Sequence, residues 1–365
     1  MGDRSGGPPA TEMQRSDRSA AQLREALERW LAGRDPQAEV VDVSIPASNG
    51  MSSDTVLFDA AWDGELRRMV ARVAPEASAV PVFPVYDLER QARVMTDARA
   101  AAPSVPIPAV LFTEADPEPL GTPFFVMERV EGRVPPDVMP YTFGSWLTEA
   151  TAEERQELQD GTIAVLAGLH AIDDAASRFA YLDVDRPGDT ALRRQLADQA
   201  AFYEWARDGQ RVPLIERAFR WLDDHFPAEE GPAGLCWGDA RIGNVLYQGF
   251  APAAVLDWEM AVLAPPEVDL AWFAYLHTFF QDIAEIFEFD GLPDFCQLDD
   301  CAATYERLSG RTPRHLRWHT VYGALRYAII SVRTTKRRVH FEGVAFPDDP
   351  DDLVMHRAGL ERLLG

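Results

Sequence analysis

The chain has 365 residues and carries 35 basic and 59 acidic side chains, a formal charge of −24. This length suits one large domain or two lobes, and 47% hydrophobic residues supply a sizeable core, which excludes global disorder. The acidity argues against non-specific nucleic-acid binding and against docking on an anionic membrane. Residues 1–20 are Gly-, Pro- and Ser-rich with mixed charges and no apolar run, so they read as a flexible tail and not as a signal peptide. Residues 21–130 read as one α+β lobe. A helix over 21–32 follows from Leu23, Ala26, Leu27, Trp30 and Leu31 at helical spacing. Strands are expected over 40–45, 55–62, 66–73, 110–113 and 124–130, with a small polar turn over 47–53 and an Asp63-Gly64 hairpin. A helix over 86–102 ends at Pro103.

After Gly132 the pattern becomes helical, and residues 131–365 read as a second, larger lobe. Helices are expected over 151–171, 190–208 and 213–225, then two short strands over 244–247 and 254–256. From about residue 268 to the end the pattern is helical again, including a long helix over 313–339. The acidic run over 348–352 reads as a solvated loop. No apolar run reaches transmembrane length. Cys236, Cys296 and Cys301 are odd in number and lack a C-x-x-C pair, which argues against a disulfide framework or a cysteine zinc site. They read as reduced packing thiols in a cytoplasmic protein.

Only Lys336 is a lysine; the other 34 of the 35 basic residues are arginines. No G-x-x-x-x-G-K-S/T loop exists, which excludes a P-loop NTPase. Schiff-base chemistry would rest on that single lysine.

The segment that carries chemistry is Trp237-Gly238-Asp239-Ala240-Arg241-Ile242-Gly243-Asn244-Val245-Leu246, followed by Val255-Leu256-Asp257-Trp258-Glu259. Each polar group lies beside a short apolar strand, and burying an unpaired carboxylate is costly. A divalent cation compensates naturally, and Asn and Asp oxygens are hard ligands suited to Mg²⁺. Asp-x-x-x-x-Asn is also the spacing of a kinase catalytic loop.

These residues resemble the aminoglycoside phosphotransferase and choline kinase family, a branch of the protein-kinase-like fold. The resemblance runs from about residue 40 to 364. It includes the hinge-like segment from Gly121 to Gly132, Leu166-Ala167-Gly168-Leu169-His170, and Pro266-Glu267-Val268-Asp269-Leu270-Ala271. It is nearest to the subgroup related to the kinase-like portion of certain acyl-CoA dehydrogenases and to mycobacterial aminoglycoside-phosphotransferase-like proteins. The resemblance implies a bilobal α+β fold, an antiparallel-sheet lobe and a mostly helical lobe, with ATP (GTP as the other candidate nucleotide) and Mg²⁺ between them. It implies Asp239 as catalytic base, Asn244 and Asp257 as metal ligands, and Arg72 as the phosphate-gripping cation of the third strand. Ser48, Asn49, Gly50, Ser52 and Ser53 would cover the phosphates, and the backbone from Glu128 to Val130 would meet adenine. Arg241 lies where a cation lowers charge on the transferring group, Glu259 is a candidate for substrate or metal binding, and Arg326 is a substrate-side candidate.

Two positions depart from the family pattern. Trp237 replaces its His, and is expected to support a repacked loop. The family's helix glutamate aligns with Gln91, since Glu89 is about 200° around the helix. Gln91 is therefore expected to make a neutral hydrogen bond to Arg72 in place of an ion pair. His170 reads as a satisfied helix histidine, and Trp272, Phe273, Tyr275, Phe279 and Phe280 as helix core. The expected acceptor is a hydroxyl of a small molecule, aminoglycoside-like or, alternatively, a hydroxy acid or hydroxyacyl metabolite held by Arg326 and Arg333. A nucleotide-binding module without turnover is the reading from another class. The expected assembly is a monomer or homodimer.

Overall fold

The computed structural model describes residues 19–46, 53–75 and 80–365. Helix α1 (Ala20–Ala32) opens on a capping box, with Ser19 and Gln22 satisfying each other's backbone N–H, and buries Leu23, Leu27, Trp30 and Leu31. Strands β1 (Glu39–Ser44), β2 (Asp54–Trp62) and β3 (Glu65–Val73) follow, the last two joined at Asp63-Gly64, both with positive φ. Such a turn matches the twist of the flanking strands. Helix α2 (Leu88–Ala101), capped by Asp87, leads to β4 (Val110–Glu114) and β5 (Phe124–Glu128). The five strands form one antiparallel sheet in the order β1-β2-β3-β5-β4. One face of it packs on α1 through Trp30, Val56, Phe58 and Phe124.

The helical lobe contains α3 (Ala152–His170), the short α4 (Ala175–Arg178), α5 (Ala191–Arg207) and α6 (Pro213–Asp224). It continues with β6 (Gly234–Cys236), β7 (Val245–Gln248), β8 (Ala251–Val255) and β9 (Val262–Ala264), paired as β6-β9 and β7-β8. Helices α7 (Glu267–Ile286), α8 (Leu298–Ser309), α9 (Leu316–Glu342) and α10 (Arg357–Leu364) close the chain. The architecture expected from the sequence, an antiparallel sheet beside a mostly helical body, is the one found. Among the described residues no helix is long and apolar enough to cross a membrane.

Four details differ. The fifth strand ends at Glu128, not 130. The β6-β9 pair was not expected, because three residues are too few to show alternation. The long helix starts at Leu316, because His315 adopts a left-handed φ of 53° that no helix can contain. The acidic run is more ordered than a plain solvated loop: Asp348, Asp349 and Asp352 are exposed as expected, but Asp351 accepts from the Leu214 N–H, Arg357 pairs with Asp349 and Asp352, and the adjoining Leu353 is buried.

The cysteines are free and buried, as read. Lys336 donates to the Ala206 and Arg207 carbonyls at the end of α5, a helix-capping role that leaves it no part in the cleft.

Candidate active site

The loop between β6 and β7 carries Asp239 and Asn244 and is fixed from below by α7. Asp269, fully buried in the first turn of α7, accepts from the backbone N–H groups of Trp237 (2.7 Å) and Gly238 (2.8 Å). His170 at the end of α3 reaches the same carboxylate at 3.2 Å and the Tyr305 hydroxyl at 3.1 Å, so it is the satisfied histidine expected. Cys236 lies within 4.8 Å of His170 and Asp269, but its thiol donates to backbone carbonyls and the other two are engaged as described. This trio is a buried hydrogen-bond network whose ligand atoms already have partners.

Gly238 has a φ of +91°, and a Cβ there would lie 1.8 Å from the Met260 carbonyl oxygen. No other residue fits this turn. Trp237, in place of the family's histidine, directs its indole N–H to the carbonyls of Leu256 (2.9 Å) and Asp257 (3.2 Å). The substitution therefore ties the loop to the next strand end, in line with the expected repacking.

The Asp239 carboxylate has three donors. Trp272 Nε1 reaches Oδ1 at 2.9 Å; Asn244 Nδ2 at 2.7 Å and Arg241 Nε at 3.2 Å reach Oδ2. Arg241 also pairs with Asp137. Burial by itself would depress this guanidinium, but the carboxylates of Asp137 and Asp239 outweigh it and hold it above the usual arginine value. Arg241 thus bridges the carboxylates of Asp137 and Asp239. Asn244 gives its amide nitrogen to Asp239, which leaves Oδ1 as the atom for a cation. Its carbonyl accepts from Leu256 N–H at 2.9 Å, and Asp257 is the next residue. Asp257 has a positive φ of 60°, an unusual backbone state for a non-glycine residue and one found at functional turns.

Arg72 on β3 reaches across the cleft. Its Nη2 lies 3.1 Å from Asp257 Oδ1 and its Nη1 donates to Thr55 Oγ1 at 2.9 Å. No hydrogen bond joins Arg72 to Gln91 among the described residues, which corrects that expectation: the partner of the strand cation is the acid of the other lobe. Gln91 is buried instead beside a cavity of ≈ 430 Å³. Among the described residues Asp257 Oδ2 and Asn244 Oδ1 make no hydrogen bond. Two hard oxygens on adjoining strand ends fit a magnesium ion.

The hinge donors are partly engaged: Glu128 N–H bonds the Ala109 carbonyl (2.9 Å) and Arg129 N–H bonds that of Arg68 (3.0 Å). The Glu128 side chain accepts from Ala109 N–H and lies 3.5 Å from Arg99. Val130 lies two residues past the end of β5. Ser53 is buried at the head of β2, its Oγ without a partner among the described residues. Ser48, Asn49, Gly50 and Ser52 lie outside the described residues.

The cavity sits between the start of α2, helix α5 and helix α9, and Glu259 and Arg326 both line it. Arg326 is only 4% exposed; its Nη2 donates to the Gly238 carbonyl at 3.0 Å, and its Nη1 has no partner among the described residues. Arg333, by contrast, is bound to the Pro81 carbonyl through Nε and Nη2 and does not line the cavity.

A profile of the phosphotransferase enzyme family matches residues 44–318. The chain belongs to that family. Solved structures with the same fold include a candidate aminoglycoside phosphotransferase from Ralstonia eutropha, 23% identical with a TM-score of 0.65 over 93% of this chain and 96% of that one. A thermostable aminoglycoside phosphotransferase APH(4)-Ia mutant, in ternary complex with AMP-PNP and hygromycin B, gives 0.59 at 19% identity over 93% and 98%. Curated relatives include acyl-CoA dehydrogenase family member 10 of Mus musculus (28% identity) and family member 11 of Homo sapiens (25%), matching 56% and 57% of this chain. The matches span only 18% and 25% of the length of those proteins. The chain thus resembles a part of proteins named as acyl-CoA dehydrogenase family members, the subgroup that the sequence resemblance pointed to.

Sequence reasoning missed three of the residues around Asp239. Asp137 gives no local signal, being 104 positions from Arg241. Asp269 stood in a recognised segment without a role. Trp272 was read as core, which it is, but its one polar edge faces the carboxylate.

Proposed function

We propose that the protein is a Mg²⁺- and ATP-dependent small-molecule kinase that transfers the γ-phosphoryl group to an acceptor hydroxyl. The observation that carries this reading is the cross-cleft contact of Arg72 with Asp257, one residue from the strand end bonded to Asn244, which itself holds Asp239. Asp239 Oδ1 accepts the proton of the acceptor hydroxyl. Asn244 and Asp257 hold Mg²⁺, which when bound neutralises charge on the triphosphate. Arg72 exchanges Asp257 for phosphate oxygens, which a guanidinium grips bidentately. The Val130 N–H meets the adenine edge. Arg241 holds the loop and its acid in place. Catalysis of this kind is mostly positioning and charge stabilisation. The adenine nucleotide in a neighbour's ternary complex supports ATP, and nothing favours GTP.

The cavity next to the loop bears on the acceptor. Its charged lining is balanced, with Asp87, Asp198 and Glu259 against Arg90, Arg186 and Arg326. A net charge of −24 is therefore not concentrated there, and a polycationic aminoglycoside finds no acidic basin. Phe83, Phe202, Trp205, Tyr322 and Ile330 add apolar wall, and Arg326, whose Nη1 is buried without a partner among the described residues, lines it too. A buried cation with an unmatched N–H favours an anionic partner. This supports a hydroxy acid or hydroxyacyl compound with an apolar body over an aminoglycoside, and the acyl-CoA dehydrogenase relatives point the same way.

The test is ATP consumption against a panel of hydroxy acids, their acyl thioesters and aminoglycosides. Turnover is expected on hydroxy acids or thioesters, with Asp239→Ala lowering kcat by about 10²-fold or more. Equal turnover in Asp239→Ala removes the base from the mechanism, and activity confined to aminoglycosides overturns the acceptor reading.

A further inference from the structure

The geometry points to Trp272 as a positioning residue for Asp239, held in that posture by Arg326; this inference rests on the kinase reading above. An ionised carboxylate offers about four acceptor positions, two per oxygen. On Oδ2 both are taken, by Asn244 and Arg241. On Oδ1 one is taken by the Trp272 indole N–H at 2.9 Å. A single position on Oδ1 remains to receive the hydroxyl proton, and Trp272 decides where it faces. Without that donor the carboxylate can still turn about its Cβ–Cγ bond, and the productive geometry is diluted.

The indole is itself restrained. Trp272 is 1% exposed, and the Arg326 guanidinium carbon lies 4.5 Å from its ring centroid. Gly323 of α9 faces Trp272, and a Cβ built there would lie 3.7 Å from its Cα and Cε3. Arg326 also donates to the Gly238 carbonyl, so one guanidinium touches both the loop backbone and the ring that aims the acid. Trp272 follows Asp269 by three residues on α7, so a single helix face holds the loop through Asp269 and its side chain through Trp272. Arg326 also lines the acceptor cavity, so the residue that restrains the ring borders the space beside the loop.

A test separates this role from mere core packing. Histidine carries its Nε2 at the same ring position, relative to Cα, as the indole Nε1 of tryptophan. Trp272→His therefore keeps the donor and loses volume, whereas Trp272→Phe keeps more volume and loses the donor. The substrates are MgATP and the panel compound that turns over, or water where hydrolysis is the only turnover. The expected result is a kcat about tenfold or more lower in Trp272→Phe, KM for MgATP within about twofold, and kcat largely recovered in Trp272→His. A packing role ranks them the other way, and Phe equal to or better than His overturns the proposal. A second readout needs no Trp272 variant: the Trp272 indole N–H resonance should move in Asp239→Ala, and an unchanged resonance overturns the proposal. If the resonance moves but the wild-type protein turns over no ATP, the kinase reading fails and takes the role with it.

Discussion

Around Asp239 the chemistry is decided by single atoms. Its oxygens are claimed by a ring nitrogen, an amide and a guanidinium, and the loop that presents it turns on Gly238. The constraint on that glycine is double, since the positive φ and the approach to Met260 both forbid a side chain. Gly238→Ala is expected to cost about 3 kcal/mol or more from overpacking and backbone strain together, and to abolish turnover. Chemical denaturation and an activity assay check both parts; a stable, active variant contradicts the loop geometry described. Asp239, Asn244 and Asp257 were legible in the sequence because acids and amides beside buried strands demand partners. Trp272 and Asp137 were not. An aromatic on an apolar helix has the same pattern whether or not its N–H is used, and an acid on a loop has no period at all.

At the scale of elements, the sheet and the helix order were legible because hydrophobic periodicity survives in strands and helices of ordinary length. The three-residue strands β6 and β9 escaped, being shorter than the pattern that would reveal them. The start of α9 at Leu316, later than the expected 313, has a conformational cause at His315. Contacts between elements were the least legible. Arg333 and Arg337 near the end of α9 bind the carbonyls of Pro81 and Val80, so this helix grips the segment that leads into α2. Arg333 also stacks on Trp205 at 4.2 Å. That helix thus serves the cavity through Arg326 and the lobe contact through Arg333 and Arg337, a division that one arginine-rich pattern does not disclose.

For the molecule as a whole, burial sets the response to acid. His277 and His356 are pushed down to about 4, and His319 to about 3, by burial first. Each is neutral when folded and ordinary when unfolded, so below about pH 6.5 the unfolded chain binds more protons. Stability contributed by these histidines is present above that pH and falls as pH drops from about 6.5 towards 4, by up to ~3 kcal/mol per group. Glu114 and Glu216 are lowered by their pairing with Arg34 and Arg211, so their loss comes only at more acid pH. Urea midpoints measured from pH 7.5 to 5 should fall, and His356→Asn should flatten the slope; a flat wild-type profile contradicts this assignment. In the cleft Asp257 pairs with Arg72, and the proposed function has it hold a metal ion as well. Calorimetric titration of ATP with and without Mg²⁺ into the wild type and Asp257→Asn tests it most directly. The account predicts that Mg²⁺ tightens ATP binding about tenfold or more in the wild type, and that this gain disappears in Asp257→Asn while metal-free binding persists through the released Arg72. An equal gain from Mg²⁺ in both proteins, or no ATP binding by the wild type, would contradict it.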